Sequence, residues 1–85
     1  MRYQAMRDCR FPSSSVIERI AYDDAATTLW VSFSGAGTYL YDDVPEAVFE
    51  DFCLAPSAGT FFHERIKDRY SFRRDPARRR FGPNA

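Results

Sequence analysis

Eighty-five residues suffice for one domain and not for two. A core this small must be used efficiently, and eight Phe, five Tyr and one Trp supply large apolar area per side chain, which excludes a disordered chain. The formal net charge of zero conceals an asymmetry. Through Glu64 four Arg stand against ten Asp and Glu, a net of −6; from Arg65 onward eight Lys and Arg stand against Asp68 and Asp75, a net of +6. An acidic body with a basic end points to a polyanion partner or to self-association.

The first ten residues hold no apolar stretch long enough for a signal peptide, and no run approaches the ~20 apolar residues that span a bilayer. The expected location is the cytoplasm, with no membrane partner. Two cysteines, Cys9 and Cys53, are fewer than a small secreted framework carries. Both are expected as free thiols, Cys53 as a small core side chain; a Cys9–Cys53 bridge is the less favoured alternative.

Residues 16–22 (VIERIAY) form a short β-branched and aromatic run, ended by residues 23–26 (DDAA). Residues 28–33 (TLWVSF) follow, with Leu29, Val31 and Phe33 on one face at period two. A glycine turn at residues 34–37 leads to a third strand, residues 38–41 (TYLY). The period then changes. Pro45 suits the first position of a helix, and Asp42, Asp43 and Glu46 gather where negative charge favours the helix dipole. Val48, Phe49, Phe52 and Cys53 make an apolar stripe, and Pro56 ends this helix. Ser57 can cap a second helix that carries Phe61, Phe62 and Ile66 inward. Residues 73–80 (RRDPARRR) show no apolar period and are expected to be mobile. The predicted architecture is α+β: a three-stranded antiparallel meander followed by two short α-helices packed on one face. The predicted divisions are an N-terminal extension over residues 1–13, a domain over 14–72 and a basic tail over 73–85.

The order of Ser14-Ser15-x-Ile17, Tyr22-Asp23, Leu29-x-Val31-x-Phe33, Tyr39-x-Tyr41, Val44-Pro45, Ser57-x-Gly59-x-Phe61-Phe62, Ile66 and Tyr70 resembles the KTSC domain. This small module is named for the C-terminus of some lysyl-tRNA synthetases and also occurs alone in bacterial and phage proteins. Its central Tyr-x-Tyr hallmark is matched by Tyr39 and Tyr41. The resemblance covers residues 14–70; it implies RNA binding through the family's company with a synthetase, and it implies no catalytic residues.

Two candidate nucleic-acid contacts follow from the residues. The first is aromatic. A two-residue turn at Gly35-Ala36 pairs Ser32 with Tyr39 and Trp30 with Tyr41, so that Trp30, Tyr39 and Tyr41 form an open platform on which bases could stack. A three-residue turn at Gly35-Ala36-Gly37 shifts the pairing by one and sends both tyrosines into the core with Phe33 and Val31. Both turns have glycine where they need it; the demand of a small core for rings tips the balance towards the second. The second contact is basic: Arg65, Lys67, Arg69, Arg73, Arg74, Arg78, Arg79 and Arg80 would attract phosphates without reading sequence. The alternatives are a solvated tail, or a tail docked on an acidic surface containing Asp42, Asp43, Glu46, Glu50 and Asp51.

No cofactor or metal site is expected. His63 is the only histidine, and neither a second histidine nor a paired-cysteine motif completes a zinc site. A Cys53–His63 nucleophilic pair conflicts with the apolar setting of Cys53. Ser13, Ser14 and Ser15 read as a loop with capping hydroxyls. The sequence therefore predicts a non-enzymatic module that binds RNA through its arginine-rich end, with stacking if the tyrosine face is open. The alternative is a protein-interaction module docking on a larger complex, of phage or host origin.

Overall fold

The computed structural model describes residues 6–75. Five strands form one antiparallel sheet in chain order: β1 (Met6–Arg10), β2 (Ile17–Asp23), β3 (Thr28–Phe33), β4 (Gly37–Tyr41) and β5 (Phe72–Arg74). Between β4 and β5 the chain makes α1 (Glu46–Leu54) and α2 (Ala58–Phe61), which continues as a wider turn over Phe62–Ile66. In that turn Lys67 N donates to Phe62 O at 2.8 Å, a five-residue step that widens the helix.

The α+β class holds, but the sheet has five strands where the sequence predicts three. Both additions lie at the edges, where a strand needs only one pairing partner. β1 falls in the expected N-terminal extension, and β5 places Arg73 and Arg74 in the sheet instead of in a tail. Neither run (MRDCR or FRR) has apolar alternation, so neither announces itself in the sequence.

The helices cover the face bearing Ile20 and Tyr22 of β2, Leu29 and Val31 of β3, and Tyr41 of β4. Val44, Phe49, Phe52, Ala58 and Ile66 close the core from the helical side. An irregularity between Ile17 and Arg19 brings Ile17 to the same face, where it is fully buried. Tyr22 sits 1% exposed and donates its hydroxyl to Val44 O at 2.6 Å, giving a buried ring the polar partner it needs.

Local signals explain the element ends. Asp23 Oδ1 accepts from the backbone N–H groups of Ala25 and Ala26, which folds the β2–β3 turn. Pro45 is extended and stands just before α1, so its missing N–H costs nothing. Ser57 Oγ accepts from Thr60 N at 3.2 Å and caps α2 as its sequence predicts.

One cysteine expectation is overturned. Cys9 and Cys53 form a disulfide, with Cα atoms 5.8 Å apart. Cys9 lies opposite Ile20 and therefore faces α1, while Cys53 is on the α1 face that meets it. The residues of β1 carry no apolar alternation, and without that strand nothing carries Cys9 to the helix.

Candidate nucleic-acid interface

The β3–β4 connection decides the fate of the tyrosines. Phe33 pairs with Gly37, Val31 with Tyr39 and Leu29 with Tyr41. The loop has three residues, but they are Ser34, Gly35 and Ala36, and Gly37 opens β4 with φ +89°. A Cβ there would also meet Arg74 Nη2 at 3.1 Å, so position 37 favours glycine twice over. This register differs by two residues from the three-residue turn expected from the sequence. Two residues preserve facing, so both tyrosines still turn towards the helices.

Tyr41 is consequently 4% exposed, edge-on to Phe62 and stacked with Phe72. Burial first, then the charges of Tyr39 and Asp68, push its hydroxyl up to about 12. Tyr39 is half-buried between Phe33 and Phe72, with the Arg74 guanidinium 5.8 Å from its ring centroid. The open platform of Trp30, Tyr39 and Tyr41 does not form. Trp30 pairs with Ala21 and Leu40 on the face away from the helices, while the tyrosines are on the other.

Of the expected basic contacts, Arg73 and Arg74 lie on the edge strand β5. Arg74 lies opposite Tyr39 on the helical face and donates to Ala36 O at 3.3 Å. Arg73 lies opposite Leu40, on the Trp30 face, and grips both carboxylate oxygens of Asp42 at 2.7 and 2.9 Å. Arg69 Nε donates to Glu64 O at 3.0 Å, and Lys67 stands 3.8 Å from Asp68. Arg65 is 3.8 Å from Asp51 and 5.0 Å from the Phe61 ring centroid. Two of these cations thus meet carboxylates of the expected acidic surface, Asp42 and Asp51. All five side chains are exposed, and exposed pairs are worth about 0 to 1 kcal/mol, so a phosphate can compete for them. Arg78, Arg79 and Arg80 lie outside the described residues.

Two cations escaped the sequence reading because β1 did. Arg7 crosses from β1 to α1: Nη2 donates to Asp24 Oδ1 and to Glu46 Oε2, each at 2.8 Å, and Nη1 reaches Glu50 at 3.5 Å. Its guanidinium lies 5.3 Å from the Phe49 centroid and 5.9 Å from that of Tyr22. The hydrogen bonds to Asp24 and then Glu46 raise its pKa further. Arg10, directly after Cys9 at the loop end of β1, lines a cleft at the end of the sheet.

The KTSC domain model matches residues 13–70. The chain belongs to the KTSC domain family. A protein of Tsukamurella paurometabola is 44% identical over 57 residues, covering 67% of this chain and 85% of its own length. A lysine–tRNA ligase of Trichormus variabilis is 34% identical over 61 residues, which are 72% of this chain but 11% of the ligase. The crystal structure of a KTSC domain protein from Yersinia pestis superposes with a TM-score of 0.77 at 38% identity, covering 84% of this chain and 99% of that one. The KTSC family is not a known enzyme family. In this KTSC domain the Tyr39-x-Tyr41 pair closes the core: Tyr41 fills it, and Tyr39 lines its rim. Among the described residues, no helix is long and apolar enough to cross a membrane.

Proposed function

We propose that this KTSC domain is a non-enzymatic RNA-binding accessory module whose contact surface is the basic β5 edge. The observation that carries the reading is the placement of Arg73 and Arg74, exposed on successive positions of the last strand and so on opposite faces of the sheet edge. Lys67 and Arg69 precede β5, and the chain beyond it supplies Arg78, Arg79 and Arg80. Guanidinium groups offer planar paired donors that match phosphate oxygens. The match to a stretch of a lysine–tRNA ligase supports a role near RNA. Tyr41 is covered and offers no stacking face.

The test is fluorescence anisotropy of a labelled single-stranded RNA against the full chain and an Arg73→Gln/Arg74→Gln variant. The reading predicts binding that weakens with salt and is weaker in the variant at every salt concentration. Equal affinity of the two proteins would remove β5 from the interface.

A second reading, docking on a protein partner, is favoured by Phe72, which is 58% exposed on the same edge strand. Apolar contacts of that kind would be insensitive to salt and would be lost in Phe72→Ser.

A further inference from the structure

A cleft of about 440 Å³ opens at the end of the sheet away from the acidic β2–β3 turn. One wall is the β1–β2 loop, residues 10–16; the other is the α1–α2 connection, residues 55–59. These walls are distant in sequence yet firmly joined. Cys9 directly precedes the first wall, Cys53 lies two residues before the second, and their disulfide ties the two together. Phe11 stacks on Phe52 with centroids 5.7 Å apart, a second bridge between the same segments. Within the loop, Ser14 N donates to Phe11 O at 3.0 Å, and Ser14 Oγ accepts from the backbone N–H groups of Val16 and Ile17. Ser14 and the α2 cap Ser57 therefore hold the walls in shape.

The lining has a consistent chemistry. It includes the exposed guanidinium-bearing Arg10 and the hydroxyls of Ser13 and Ser15, beside apolar Phe11, Val16 and Pro56. Among the described residues no carboxylate lines it, although twelve Asp and Glu occur in the chain. Among the described residues Arg10 has no salt-bridge partner, unlike Arg7 and Arg19 of the same sheet region, which hold Asp24 and Asp8. An exposed cation without an ion-pair partner, beside serine hydroxyls, suits an oxyanion, and the apolar wall suits an uncharged body attached to it. The volume falls in the range of small-molecule sites.

We propose that this cleft binds a small molecule carrying a terminal oxyanion, carboxylate or phosphate, on a compact apolar body. Arg10 holds the oxyanion, and the Cys9–Cys53 disulfide fixes the walls before the ligand arrives. The site is separate from the β5 edge, because β1 and β5 are the two outer strands of the sheet.

The test is an NMR titration of the oxidised full chain with two probes, N-acetylvaline for the carboxylate and phenyl phosphate for the phosphate, against sodium chloride at matched ionic strength. The proposal predicts saturable shifts in residues 10–16 and 55–59 with at least one probe; the probe that saturates first identifies the oxyanion. Arg10→Gln, an exposed substitution that leaves the core intact, should weaken that binding about tenfold or more. Shifts that rise linearly, that chloride reproduces, that concentrate on the β5 arginines, or that persist unchanged in Arg10→Gln overturn it.

Discussion

Removing the disulfide should cost this domain a large share of its stability. The crosslink joins positions 44 residues apart, and the chain-entropy relation for a closed loop of that length gives about 4 kcal/mol near 25 °C. A domain of this length has a total of roughly 4 to 13 kcal/mol. Cys9→Ala/Cys53→Ala should therefore leave a fold that is marginal, with the loosening concentrated where β1 and α1 meet. Phe11 against Phe52, and Arg7 with its carboxylates, are the other described ties at that junction. The assay is equilibrium urea unfolding of the oxidised protein and the double variant, followed by tryptophan fluorescence of Trp30. A thiol titration of the denatured wild type should first find neither of its two cysteines reactive. A stability difference below about 1 kcal/mol, with the bond chemically intact in the wild type, would refute the loop-entropy reasoning.

Burial raises the pKa of Tyr41 to about 12, against an ordinary value of 10.0, and raises that of Tyr22 as well. Because the unfolded chain ionises first, stability is full below pH 10 and falls as pH rises towards 12, by about 2 to 3 kcal/mol from Tyr41. Urea midpoints flat between about pH 8 and 11 would contradict this. Tyr22→Phe removes the hydrogen bond to Val44 O and strands a buried acceptor, which should cost about 1 to 3 kcal/mol by the same unfolding assay. Arg7→Met should lower the melting temperature at low salt, and the deficit should narrow at about 1 M salt, where charges beyond about 3 Å are screened. Phe52→Ala, at a fully buried ring touching both Phe11 and Phe61, should cost about 3 to 5 kcal/mol.

The legible parts of this fold are those where one face of an element is apolar at a regular period. Leu29, Val31 and Phe33 announce β3, Phe49 and Phe52 announce α1, and the hydroxyl of Ser57 marks the start of α2. The edge strands carry charge instead: Arg7, Asp8 and Arg10 in β1, Arg73 and Arg74 in β5. Edge strands tolerate charge because one side of their backbone lacks a partner strand, and the same tolerance erases the alternation that identifies a strand. The disulfide, the Arg7 crossing and the Arg10 cleft all depend on β1, which no apolar period announces. The β3–β4 register was undecidable from Gly35 and Gly37 together, because either glycine could take a positive φ and in the fold both do. The facing of Tyr39 and Tyr41 follows from the needs of the core. The basic residues were legible as a set from composition, but their division between two sheet faces required β5.

The most direct test of the account is the salt dependence of RNA binding by the full chain and by a form ending at Asp75, which keeps β5 whole. The full chain should show a log–log slope near −0.7 for each phosphate contacted on a single strand. The shortened form should bind more weakly with a shallower slope, its remaining affinity resting on Arg73 and Arg74. No binding by the full chain at low salt, or binding indifferent to salt, would contradict an electrostatic RNA interface at the β5 edge.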